Sequence, residues 1–146
     1  MSYFVDFMRE SNWIEGIKRP PTQEEVTALK DFLAVPVVTV AALQDFVKVC
    51  QPNASVRAHL GQDVRVGNHV PPPGGKALVE EFKALLKKIN AGALNAYQGH
   101  CAYETLHPFT DGNGRSGRAL WLWQMRGDAP LGFLHTFYYQ TLSALR

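Results

Sequence analysis

His107-Pro108-Phe109-Thr110-Asp111-Gly112-Asn113-Gly114-Arg115-Ser116-Gly117-Arg118 is the stretch on which the reading of this chain turns. It holds an imidazole, a carboxylate, an amide, two guanidiniums and three glycines within twelve residues. Glycines allow positive φ and a close backbone approach to a ligand. A glycine-rich loop that runs into a helix aims its free N–H groups at an anion. Arg115 and Arg118 are three apart, so on a helix they share a face and can grip one polyphosphate. Asp111 could hold a divalent cation, and His107 is suited to accept a proton near neutral pH. Together they describe a nucleotide-phosphate site with its own base.

The flanks place this site between two helices. Residues 92–106 are rich in small and aromatic residues, which predicts a helix buried on most sides that delivers His107 at its carboxyl end. A helix over 116–126 follows, with Ala119, Leu120, Leu122, Trp123 and Met125. A last helix is expected over 131–145, its apolar side formed by Leu134, Phe137, Tyr138, Leu142 and Leu145. On the amino-terminal side, residues 2–16 carry Phe4, Phe7 and Met8 at helical spacing, and Gly16 is a common stop. Thr22 and Glu25 form a capping box before Val26, Leu29, Phe32 and Leu33. A third helix follows Thr39 with Leu43, Phe46, Val47 and Cys50, and a strongly amphipathic one spans 76–89. Between them, Val64-Arg65-Val66 alternates like a strand, Gly67-Asn68 has turn chemistry and His69-Val70 is the return arm. Pro71-Pro72-Pro73 then excludes helix and central strand. The expectation is a mainly α domain, about six to eight helices with one β-hairpin, occupying 1–146 as a single unit.

Composition narrows the function classes. The chain has 146 residues, 46% of them hydrophobic, which suffices for one core. Fifteen basic against thirteen acidic side chains leave +2, too mild for a nucleic-acid binder. Cys50 and Cys101 lie in no CxxC or CxxH pattern, so neither a disulfide scaffold nor a zinc site is expected. There is no signal-peptide pattern at Met1-Ser2-Tyr3-Phe4 and no apolar run of about 20 residues, so a cytoplasmic protein away from membranes is expected.

At His107–Arg118 the sequence resembles the Fic family, whose motif HPFx(D/E)GNGRxxR is matched at every specified position. Ser11-Asn12-Trp13-Ile14-Glu15-Gly16 is similar to the family's inhibitory-helix pattern (S/T)xxxE(G/N), placing an inhibitory helix at 2–16, amino-terminal to the core. Val64 to Pro73 resembles the flap that precedes the core (62–73), and Phe133-Leu134-His135 to Tyr139 its closing helix. The resemblance implies an autoinhibited adenylyltransferase that moves AMP from ATP, with Mg²⁺, to a Tyr, Thr or Ser hydroxyl of a target protein. His107 would be the general base and Asp111 the magnesium ligand. Asn113 and the backbone of Gly112, Gly114, Ser116 and Gly117 would hold phosphates, Arg115 would take the leaving phosphates, and Arg118 the terminal one. Ser11, Glu15 and Gly16 would form the inhibitory segment, with Glu15 occupying Arg118. Val66, Gly67, Asn68 and His69 would register the target by strand addition.

Other readings of the same residues stay open. Asp111 could make an Asx turn before Gly112. Phe109 is a core anchor in any case, since nothing in the chemistry uses a phenyl ring there. Trp121 and Trp123 are read as packing residues, and His59, His100 and His135 as structural. Doc-type relatives that act as kinases carry a Lys where this chain has Gly114, which favours nucleotidyl transfer here. UMP or GMP as donor, removal of AMP, and a non-catalytic nucleotide-binding or toxin–antitoxin module are the alternatives. Apolar residues near both ends could support a homo-oligomer.

Overall fold

The computed structural model describes residues 3–127. Six helices lie among them: α1 (Tyr3–Ile14), α2 (Gln23–Leu33), α3 (Val40–Cys50), α4 (Lys76–Asn90), α5 (Ala96–Leu106) and α6 (Asn113–Gln124). The helix expected over 131–145, and with it the closing-helix resemblance, lies outside the described residues. α6 is the hub and touches α1, α2, α3 and α5.

Local chemistry sets the helix ends. α1 ends in a Schellman motif: Ile17 N–H donates to Asn12 O (3.0 Å) and Gly16 N–H to Trp13 O (2.9 Å), with Gly16 at φ 79°. Glu15 therefore sits at the rim of the last turn. The capping box at the start of α2 is present, with Thr22 Oγ1 accepting from Glu25 N–H and Glu25 Oε1 accepting from Thr22 N–H. Thr39 caps α3 through the Ala42 N–H. α5 starts later than its composition predicts, because Asn95 and Gln98 form a second capping box. α6 starts earlier than 116: Gly112 is its N-cap at φ 78°, so Asn113, Gly114 and Arg115 form its first turn.

The core joins Phe7 and Met8 of α1, Leu29 and Phe32 of α2, Leu43 and Phe46 of α3 and Leu78, Phe82 and Leu86 of α4. Phe109 is fully buried among them and meets Phe82 edge-on, with ring centroids 5.8 Å apart. The core-anchor reading of Phe109 therefore holds. Cys50 and Cys101 are free thiols.

The hairpin expected over 62–73 is not formed as two strands. Its turn exists as one antiparallel bridge, Val66 with His69, closed by N–H donations in both directions (3.0 and 2.9 Å) around Gly67-Asn68. The prolines at 71–73 lack N–H groups, so the ladder cannot extend past Val70, and an unsupported two-stranded ribbon is marginal in water.

What orders the 54–75 segment is a side chain that sequence patterning overlooks. Arg57 is fully buried. Its Nε donates to His107 O (2.7 Å), Nη2 to Leu106 O (2.9 Å), and Nη1 to Pro72 O (2.8 Å) and Gln62 O (3.0 Å). Its own N–H donates to Pro108 O at 2.9 Å, beside an antiparallel bridge between Val56 and Phe109. One guanidinium thus ties the flap base to the end of α5. Burial pulls the Arg57 pKa down from its ordinary value, partly offset by Asp63. Arg57→Met, which keeps the bulk and leaves buried carbonyls without donors, should lower stability by about 3 kcal/mol or more. Urea denaturation of the two proteins checks it, and a midpoint unchanged by the substitution would contradict the bracing role.

Candidate active site

His107 is the C-cap of α5 and adopts the left-handed conformation (φ 52°, ψ 63°), which is uncommon for a residue with a side chain. That turn lifts the chain off the helix and lets Pro108 and Phe109 dive into the core. The ring lies over the last turn, with Nδ1 2.9 Å from Glu104 O. A carbonyl oxygen can only accept, so Nδ1 carries the hydrogen and Nε2 is the basic nitrogen. The geometry suits proton abstraction at Nε2.

The loop from Thr110 to Gly112 is held from both sides. Thr110 N–H donates to Ser55 O at 2.9 Å, and Thr110 Oγ1 accepts from Ser55 N–H at 3.1 Å. Asn113 is buried, and its amide pairs with the Phe109 backbone: Nδ2 donates to Phe109 O (2.7 Å) and Oδ1 accepts from Phe109 N–H (2.8 Å). Asn113 thus braces the loop in this structure, instead of reaching outward with its side chain. Ser116 is also interior. Its hydroxyl donates to Gly112 O at 2.8 Å and accepts from Tyr103 OH at 2.7 Å. Burial raises the Tyr103 phenol well above its ordinary pKa, so it stays a neutral donor. Gly117 O accepts from His100 Nδ1 at 2.8 Å, which gives His100 the structural role expected of it. What remains for an anion is the backbone of the first turn of α6, whose opening N–H groups have no partner within the helix.

The two motif arginines are both buried and held differently. Arg118 Nε donates to Ser11 Oγ (2.8 Å), and Nη2 donates to Ser11 O (3.0 Å) and Glu15 Oε2 (2.6 Å). α1 thus meets this guanidinium with a hydroxyl, a carbonyl and a carboxylate. The carboxylate fits because residue 114 is glycine: a Cβ there would overlap Glu15 Oε2 and crowd both terminal nitrogens of Arg118. Arg115 is looser. Its Nη2 is 3.4 Å from Cys50 O and its Nη1 is 3.7 Å from Glu25 Oε2. Nε and Nη1 of Arg115 are buried with no hydrogen-bond partner among the described residues. An incoming anion would satisfy them.

Glu25 does more than close the capping box. Its carboxylate accepts from Arg19 at 2.9 and 3.2 Å and from Asn12 of α1 at 3.5 Å, while facing Arg115. Burial alone would raise its pKa, but Arg19 and the Thr22 N–H outweigh that and hold it below its ordinary value. Arg57, Asn12 and Glu104, a buried carboxylate beside His107, were invisible to motif reading. The only signal for them was a polar residue at a position that a buried helix or an ordered loop would fill with an apolar one.

Asp111 is exposed, and its Oδ1 accepts from Gly112 N–H at 2.7 Å. The contact reaches the next residue only, so it is not the Asx turn, which runs to the N–H two residues on. No group of three or more metal-ligating side chains occurs among the described residues. A single carboxylate is the donor set expected for Mg²⁺, which draws its other ligands from phosphates and water. The unsatisfied N–H groups of Arg115 fit a nucleotide at the same helix end. In the flap, the His69 ring reaches back, Nε2 lying 2.9 Å from Thr105 O. That contact pins the turn to α5, while Gly67 and Asn68 remain exposed. No helix among the described residues is long and apolar enough to cross a membrane.

The sequence model of the Fic/DOC family matches residues 22–125, and the chain belongs to that family. The match spans α2 to α6 and the site, whereas α1 lies before its first residue. No curated protein matches the chain.

The Glu25 network gives a pH signature. A carboxyl whose folded pKa is depressed stabilises fully above its unfolded pKa and loses that contribution as pH falls through the folded one. Glu25→Gln should therefore lower stability by about 1–2 kcal/mol at pH 7. The gap to the unaltered protein should begin to close below the ordinary glutamate value of 4.5 and vanish beneath the depressed one. Thermal melts from pH 7 to pH 3 check this, and a gap independent of pH would contradict it.

Proposed function

We propose that this member of the Fic/DOC family is a protein adenylyltransferase held inactive by its own amino-terminal helix. Members of the family generally transfer a nucleoside monophosphate to proteins. The donor, the target hydroxyl and the autoinhibition are our reading. The observation that carries it is the contact of Glu15, Ser11 and Arg118, together with the His107 ring fixed through Nδ1 on the Glu104 carbonyl, which makes Nε2 the basic nitrogen.

In the proposed reaction the target hydroxyl of a Tyr, Thr or Ser gives its proton to His107 Nε2. Its oxygen attacks the α-phosphorus of ATP as the bond from that phosphorus to the pyrophosphate oxygen breaks, releasing pyrophosphate. Positioning and charge stabilisation carry most of the rate in such transfers. The backbone N–H groups at the start of α6 would cradle the phosphates, and Arg115 would gain from them the partners its buried Nε and Nη1 lack. Mg²⁺, held by Asp111 and the nucleotide's own oxygens, would neutralise charge on the leaving pyrophosphate. Arg118 would hold the terminal phosphate once Glu15 vacates it. The exposed Gly67-Asn68 turn lies on the α5 side of the site and would present an extended target segment by its backbone.

Inhibition follows from competition for one guanidinium. With Glu15 on Arg118, the terminal phosphate loses its partner and meets a carboxylate in its place, so ATP binds with its α-phosphorus out of line. Removing that competition should raise transfer on the order of 10²-fold. Glu15→Gly should therefore label proteins in a lysate from radiolabelled ATP far more strongly than the unaltered chain. His107→Ala in the Glu15→Gly background should abolish the labelling, with mass spectrometry identifying the transferred group. Equal labelling by the unaltered and Glu15→Gly proteins would sink the inhibitory reading. Label that persists without His107 would sink the assigned base.

A further inference from the structure

The carboxylate of Glu104 has no part in the mechanism above, yet it lies against the base. Glu104 sits one turn before His107 on α5 and is 2% exposed. Its carbonyl accepts the Nδ1–H of His107, and its own carboxylate Oε2 lies 3.7 Å from that same Nδ1. α6 closes over it at Gly117, where a Cβ would overlap Glu104 Oε1 and press on the Tyr103 ring. The glycine is thus the space in which the carboxylate lies. Burying a carboxylate is costly unless something compensates it, and the cost falls when a cation forms alongside. The imidazole becomes such a cation at the moment Nε2 takes a proton.

We propose that Glu104 is a positioning residue for His107: its carbonyl fixes the ring and tautomer, and its carboxylate stabilises the imidazolium formed as the target hydroxyl is deprotonated. The catalytic part of this rests on the adenylyl-transfer reading, while the charge coupling rests on geometry alone. One residue so supplies both functions that an orienting carboxylate serves in other histidine-based sites. Gly117, at the third unspecified position of the motif, then serves the base from the opposite helix.

Among the described residues, the other charged or titratable groups around this end of α5 are few. Arg57 donates to the carbonyls of Leu106 and His107, and His69 meets Thr105 O. His100 and Tyr103 face α6 through Gly117 and Ser116, and α6 itself carries Arg115 and Arg118. Glu104 is the carboxylate whose ion-pair distance to the ring is within 4 Å. Replacing it by the isosteric amide removes the charge and keeps the shape.

The test has two arms. The first follows the His107 ring through its pH titration by NMR, in the unaltered protein and in Glu104→Gln. The midpoint should fall by about one unit in the variant, the size expected for losing a neighbouring opposite charge. The second measures transfer in the Glu15→Gly background. Glu104→Gln should lower kcat about 10- to 100-fold with KM for ATP unchanged. The rising limb of the kcat–pH profile should also move to lower pH, because the weaker base loses its proton earlier. Glu104→Asp, which keeps the charge, should recover part of both changes. A titration midpoint and a limb that stay in place in Glu104→Gln would overturn the proposal, even if activity fell. A shifted titration in a Glu15→Gly protein that transfers nothing would overturn the adenylyl-transfer reading and leave the coupling standing.

Discussion

The guanidinium of Arg57 is buried at the junction of the flap segment and the carboxyl end of α5. It donates to Leu106 and His107 on one side and to Gln62 and Pro72 on the other. A helix carboxyl end carries partial negative charge and unpaired carbonyls, and a cation there answers both. The loop before the prolines has the same shortage of donors, since residues 71–73 offer none of their own. A single planar fork with five N–H groups serves both needs because its geometry is fixed. The flap turn, the end of α5 and the descent of Phe109 into the core all depend on it.

The motif divides its labour in a way that its letters do not announce. Phe109, Asn113 and Ser116 face inward and build the turn, each satisfied by protein partners. Asp111 is exposed, and the opening N–H groups of α6 have no partner within the helix. The arginines sit between these groups: both are buried, one is held by α1 through Nε and Nη2 and the other only by longer contacts. The glycines are spacers of different kinds. Gly112 supplies a left-handed N-cap, Gly114 admits the Glu15 carboxylate, and Gly117 admits that of Glu104.

Sequence patterning found what is periodic or capped. The stripes on α2, α3 and α4 and the Thr22–Glu25 box are local signals that tertiary packing reinforces. The pairing of Glu15 with Arg118 follows from the likeness of Ser11–Gly16 to the family's inhibitory-helix pattern and from opposite charge, and the contact itself is present. α6 starts a turn before the position its sequence predicts, since Gly112 and Gly114 both have loop character while the backbone uses only the first to cap. The flap was read as a hairpin from its alternation, yet alternation says nothing of whether a third strand will support it. Arg57 and Glu104 were missed for a shared reason. Each is a polar residue whose partners are backbone or a neighbour three residues on, and such roles leave no pattern that one sequence can display.

The conformation of residue 107 has a consequence for how this protein can change. A left-handed helix terminus favours glycine, or asparagine, by about 1 kcal/mol over a residue with a full side chain. Under the proposed mechanism, folding and chemistry pull in opposite directions at one position. A copy released from any catalytic demand would drift there towards glycine and become more stable as it became inert. The histidine at 107 is a standing strain that packing does not account for and that the proposed role as base would.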